Sequence, residues 1–186
     1  MSATAPLEQA IAISKSVLAN VSKEDLDKQS PCAAWKVRDV INHLVDGADF
    51  FVTGLGGEGV GEADAASGDY CAAYDESSAR TLAAFSAPGA LEKTANLPFG
   101  PMPAAALMGL ATSDIFTHTW DLAKATGQST DLDPEFAAQL LPQVEAAIPD
   151  MFRGAEGSGM PFGPKQEAPA GATNADKLAA FLGRSC

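Results

Sequence analysis

Between Thr94 and Ser113 the chain carries no charged side chain, and this run closes on Asp114 and, four positions later, His118, one of only two histidines. An uncharged stretch of this length is accommodated either in a membrane or in a protein core. Pro98, Gly100, Pro101, Pro103 and Gly109, with many weakly hydrophobic alanines, argue against a membrane-spanning helix, so the run is read as core. A carboxylate and an imidazole at the edge of a core are either exposed by geometry or satisfied by a partner, because burying them unpaired costs several kcal/mol (about 2–7 for a neutral polar group, more for a charge).

Apolar periodicity places that run among helices. Leu7, Ile11, Ser14, Leu18 and Val21 recur at helical spacing and predict a first helix that ends before "SKEDL". After "KQSPCAAW", where Pro31 stops any helix, Val37, Ile41, Leu44, Ala48, Phe51 and Leu55 predict a second helix over Lys36–Gly54. The Gly/Ala/acid-rich segment that follows reads as a mobile loop, and Cys71, Tyr74, Ser78, Leu82 and Phe85 mark a third helix closed by "SAPGA". "LEKTANLPFGPMP" holds too many prolines for a helix and reads as an extended connection with a short strand and turn.

A fourth helix runs from Ala104 to a C-capping Gly127, and a fifth covers "DPEFAAQLLPQVEAAI", with Asp133 as N-cap, Pro134 at the first helical position and Pro142 as a kink. The remainder is irregular apart from a short helix over Asn174–Leu182. These elements predict an all-α antiparallel four-helix bundle, residues 1–130, with a C-terminal helical extension, residues 131–186, packed on it as a single domain overall.

Charge and cysteine content narrow the function classes. With 24 acidic against 12 basic residues the net charge is −12, which disfavours nucleic acid and anionic membrane surfaces as partners. The N-terminal "MSATAPLEQA" lacks the basic and apolar regions of a secretory signal, which points to the cytoplasm. Cys32, Cys71 and Cys186 are odd in number and lack CxxC or Cys/His spacing, so they are read as small free thiols, with Cys186 mobile at the end of the chain. Arg153 and Arg184 could bind an anionic substrate from the tail, but exposed solubilising positions are the default for both.

On the fourth helix, at ~100° per residue, Leu107, Leu110, Asp114, His118 and Asp121 share one stripe that continues to Leu122 and Ala125. Asp114 and His118 lie one turn apart, so a carboxylate oxygen and a ring nitrogen can converge on one cation; a simple hydrogen bond between them fits the spacing equally well. His43 sits at the edge of the second helix's stripe, with Gly47 leaving space one turn later, so periodicity permits it to reach a shared site without requiring it. Asp46 and Asp121 are read as groups behind such a site or as solvent-facing residues, and Trp120 as packing.

Two stretches resemble a known family. "SPCAAWKVRDVINHLVDGADFF" resembles T-P-C-x-x-W-x-V-R-D-L-x-x-H-L, and "DIFTHTWDLAKATGQ" resembles D/E-x-x-x-H-x-W-D-L-A-x-A-T-G, of mycothiol-dependent maleylpyruvate isomerase-like proteins in the DinB superfamily. The tail "ADKLAAFLGR" is similar to the C-terminal signature of one branch. The resemblance implies a DinB-like four-helix bundle holding a divalent metal, zinc or nickel, through His43, Asp114 and His118, where the family uses His, Glu or Asp at the middle position.

It further implies a thiol cofactor such as mycothiol, activated as a thiolate toward an electrophilic small molecule, in a transferase or isomerase reaction. Alternatives carried beside it are a non-catalytic metal- or ligand-binding bundle and a metal-dependent hydrolase. The chain stops soon after the fifth helix, without room for the isomerase's separate C-terminal domain, so maleylpyruvate is not the expected substrate. A homodimer is compatible with a bundle of this kind.

Overall fold

The computed structural model describes residues 2–32, 35–62, 64–155 and 158–186. Its long helices are α1 (Ala5–Leu18), α2 (Val37–Gly54), α3 (Tyr70–Ser86) and α4 (Ala104–Thr126), followed by α5 (Pro134–Ala147) and α6 (Asn174–Phe181). The proline-rich connection forms an antiparallel hairpin of β1 (Thr94–Leu97) and β2 (Gly100–Pro103), with Thr94 opposite Pro103 and Leu97 opposite Gly100. Helix α1 packs on α4 and α3, and α2 packs on α3 and α4, so the consecutive helices α1 and α2 lie across the bundle from one another. This is a four-helix bundle with a short C-terminal helical extension.

The α4 helix is the central element. Its buried residues run almost without interruption from Ala111 to Ala123, with Asp114 alone among them partly exposed, because α1, α2 and α6 all pack on it. The uncharged run is core only in part, which corrects the sequence expectation: Ala95, Ala104, Leu107 and residues 111–113 are buried, whereas Phe99 is 69% exposed and Ala105, Ala106 and Gly109 face solvent. Among the described residues no helix is long and apolar enough to cross a membrane. Gly127 ends α4 at φ 73°, the left-handed cap in which glycine is unstrained.

Several sequence expectations change in detail. The α5 helix continues through Pro142. The carbonyl left without an N–H there belongs to exposed Ala138, where water can satisfy it. The segment after α2 is tethered: the Asp49 carboxylate accepts from the backbone N–H groups of Val60 and Gly61, and Ala65 and Ala66 are buried. Cys186 is likewise held rather than loose, with its thiol 3.2 Å from the carbonyl of Asp176 and packed against the core.

The end of α6 determines what reaches the centre of the molecule. Gly183 N–H donates to the Ala180 carbonyl and Arg184 N–H to the Ala179 carbonyl, the paired bonds of a Schellman cap. Gly183 has φ 93°, and a Cβ there would stand 2.9 Å from the Cα of Gly163. Both the backbone angle and the close approach therefore require glycine. Gly183→Ala is expected to lower stability by about 1–3 kcal/mol, measured by urea unfolding. An unchanged midpoint would show that this cap does not hold the tail.

Candidate metal and thiol site

The segment before α2 closes on itself. Ser30 N–H donates to the Trp35 carbonyl, Ser30 Oγ donates to the same oxygen at 2.8 Å, and Val37 N–H returns to the Lys28 carbonyl. The Asp39 carboxylate accepts from Lys36 N–H at 2.8 Å and caps the first turn of α2. This loop carries Cys32 and Trp35 to the same end of the bundle as His43 of α2 and His118 of α4. The Trp35 ring lies 4.9 Å from that of His43 and is stacked at 5.4 Å on that of His118.

The two histidine rings meet edge to face at 4.4 Å, and both direct Nε2 at one carboxylate. His43 Nε2 lies 3.1 Å from Asp114 Oδ2, and His118 Nε2 lies 3.6 Å from Asp114 Oδ1. One donor atom from each of the three residues lies within 4.8 Å of the others. Ligand atoms bound at ~2.0–2.1 Å in a tetrahedron are ~3.3 Å apart, so this set has the spacing and chemistry to surround a divalent ion. His43 and Asp114 keep 32% and 25% of their side-chain surface exposed, which leaves an open side toward solvent.

Electrostatics reinforce the cluster. Burial pushes the Asp114 carboxyl up, but His118 and His43 outweigh it and hold it below the ordinary carboxylate range. For His43, burial opposes the charged ring, while the hydrogen bond and charge of Asp114, aided by Asp46, raise its pKa overall. Asp46 thus acts electrostatically on His43 from one turn further along α2.

Behind His118 lies a second polar layer. His118 is 7% exposed, and its Nδ1 lies 3.0 Å from Asp121 Oδ2 but off the line of an aligned hydrogen bond. Asp121 is fully buried and is held in a two-pronged contact by Arg184, with Nε to Oδ1 at 3.3 Å and Nη2 to Oδ2 at 2.9 Å. The same Nη2 stands 3.5 Å from Cys32 Sγ, and Nη1 donates to the Leu182 carbonyl. Burial pushes the Asp121 carboxyl up, but the His118 ring beside it and the Arg184 guanidinium outweigh it and hold it below its usual range.

The structure therefore brings His43, Asp114 and His118 together and places Asp121 directly behind them, closed off from solvent. Arg184 corrects the sequence expectation: it is 9% exposed because the cap of α6 turns it inward onto a buried acid. Arg153 is also covered rather than solubilising, donating to the Phe181 carbonyl at 2.7 Å and lying over that residue's ring. Trp120 is fully buried packing, as expected, and its Nε1 donates to Asp176 of α6 at 2.9 Å. Cys32, Trp35 and Arg184 were not singled out for this site by periodicity, although "PCAAW" and "GR" stand in the segments that resemble the family.

Burial pushes the Cys32 thiol up to about 11, against the opposing effect of Arg184. Since the thiolate is the nucleophile, only on the order of one in a thousand Cys32 side chains is reactive at pH 8. Alkylation of Cys32 by iodoacetamide is expected to be slow and still accelerating above pH 9, followed by mass spectrometry. A rate that levels off near pH 8 would contradict that environment. Two surface hollows, one beside Phe85 and Glu92 and the other beside Ile13 and Leu132, bring no histidine or cysteine to their walls.

The bundle that brings two imidazoles and a carboxylate together beside a partly open face has a DinB-like fold. The chain matches the family model described as the mycothiol maleylpyruvate isomerase N-terminal domain over residues 7–123, and it belongs to that family. It is 40% identical over 169 residues to uncharacterized proteins from two strains of Mycobacterium tuberculosis, covering 91% of this chain and 90% of each relative. Its fold is similar to the crystal structure of a histidine-to-alanine mutant of mycothiol-dependent maleylpyruvate isomerase, with a TM-score of 0.60 and 13% identity, covering 76% of this chain and 68% of the other.

Proposed function

We propose that this chain binds one divalent metal ion, zinc or nickel, through His43, Asp114 and His118, and uses it in a thiol-dependent transferase or isomerase reaction on a small electrophile. The observation that carries this reading is the convergence of His43 Nε2, Asp114 and His118 Nε2 beside a half-open face. Membership of a family named for mycothiol makes that thiol the cofactor to test first. Bound there, the ion would supply a Lewis acid at which a coordinated thiol is deprotonated.

The residues around the ion have separable roles. His118, enclosed between Trp35 and Asp121, is the rigid donor; His43 and Asp114 face the open side where a thiol and an electrophile would enter. Residues 1–130 carry the three donors, and residues 131–186 act as the packed extension that supplies Arg184 from behind.

The test is metal analysis of protein purified without an immobilised-metal column, followed by titration with mycothiol. About one ion per chain and saturable mycothiol binding that disappears on chelation are expected. A chain that holds no divalent ion overturns the metal assignment; a metal-loaded chain that neither binds mycothiol nor consumes it with electrophiles overturns the thiol assignment.

A further inference from the structure

His118 presents its two ring nitrogens to two different donor sets. Nε2 faces Asp114 and Nδ1 faces Asp121, and His118 belongs to two donor sets, one with His43 and Asp114 and one with Asp121 and Cys32, each with its donor atoms within 4.8 Å of one another. On donor chemistry alone the inner set is the softer and tighter one. It offers a thiol, an imidazole nitrogen and a fully buried carboxylate, and a thiolate is a preferred ligand of zinc and of its borderline-soft neighbours. His118 Nδ1 is moreover a buried nitrogen without an aligned hydrogen bond. Something must keep a metal from choosing this side.

The inner position already holds a cation. The Arg184 guanidinium stands at 2.9 Å from Asp121 and 3.5 Å from Cys32 Sγ, compensating the buried carboxylate that would otherwise demand an ion. Among the described residues no guanidinium or ammonium group stands within ion-pair distance of Asp114, whose salt-bridge partners are the two histidines. We propose that Arg184 is the resident cation of the inner Cys32–Asp121–His118 position, and that by filling it Arg184 confines a divalent metal to the outer position formed by His43, Asp114 and His118. Arg184 is a positioning residue, acting on metal placement through Asp121 and Cys32.

This inference rests on the metal reading of the site, and Co(II) distinguishes failure of one from failure of the other. The parent chain is expected to take up one equivalent of Co(II) with ligand-field bands of nitrogen and oxygen ligands and no thiolate-to-cobalt charge-transfer band in the near ultraviolet. Cys32→Ser should leave that spectrum unchanged. Arg184→Met should admit Co(II) to the inner set, by relocation or by a second equivalent that also displaces the His118 ring proton to solvent, and gain the thiolate band as coordination displaces the Cys32 proton to solvent. The band should vanish in Arg184→Met combined with Cys32→Ser, and Arg184→Lys, which keeps the charge, should behave as the parent.

A parent spectrum that already contains the thiolate band, or that changes on Cys32→Ser, overturns the proposal even if the Arg184→Met variant does not fold. An Arg184→Met variant that folds by circular dichroism and binds one Co(II) with the parental spectrum overturns it as well. A parent chain that takes up no Co(II) overturns the proposed function and this inference together.

Discussion

Asp121→Ala is expected to be among the most destabilising single substitutions in this protein, at about 3–5 kcal/mol, because it strands a buried guanidinium without its counter-charge. Asp121 has no exposed surface, and Arg184 is 9% exposed. Removing the acid leaves Arg184 Nε and Nη2 without an anionic acceptor, and it takes from the His118 ring its nearest partner at Nδ1. For a chain of this length the loss corresponds to a fall in Tm on the order of 10 °C by calorimetry. A fall of one or two degrees would mean that water reaches the pair and that the tail is only loosely docked.

The double variant Asp121→Leu with Arg184→Met is the informative control. Replacing a buried pair by apolar groups of similar volume is often close to neutral, whereas breaking it is not. The double variant should therefore recover most of the stability lost in Asp121→Ala. The pair also has a pH signature. The Asp121 carboxyl is held below its unfolded value, so its contribution is complete above about pH 4 and is lost as pH falls through the lowered value. Stability of the parent should decline faster below pH 4 than that of the double variant.

No local sequence pattern encodes this pair. The helices were legible because their apolar residues recur at the helical period, and the hairpin because four prolines and glycines interrupt an uncharged run between Thr94 and Pro103. His118 and Asp114 were visible as polar residues within the apolar stripe of α4. Arg184 was not, because an arginine near a chain end has no local pattern that distinguishes it from a surface charge. Its burial is set by the cap at Gly183 and by Asp121, 63 residues away in sequence. Cys32 was missed for a similar reason: loop closure by Ser30 and Trp35 brings it to His118, and no spacing rule encodes that approach.

His43→Ala is expected to release the metal while leaving the apo fold nearly as stable as the parent, and this separation is the sharpest test of the outer donor set. His43 is a third exposed, at the open edge, so truncating it creates little cavity. His118→Ala removes a ring enclosed by Trp35 and α4, so it should cost both the metal and some apo stability. Loss of one of three protein ligands should weaken binding by more than the ~10–100-fold seen when only an outer-shell partner is removed. An ion present at about a thousand times its Kd stabilises the parent by about 4 kcal/mol. The parent should therefore show a rise in Tm on adding Zn(II) that His43→Ala lacks, with elemental analysis after dialysis against a chelator reading the same loss. Parental metal content and a parental Zn(II)-dependent Tm shift in both histidine variants would place the ion elsewhere and remove the basis for thiol activation at this end of the bundle.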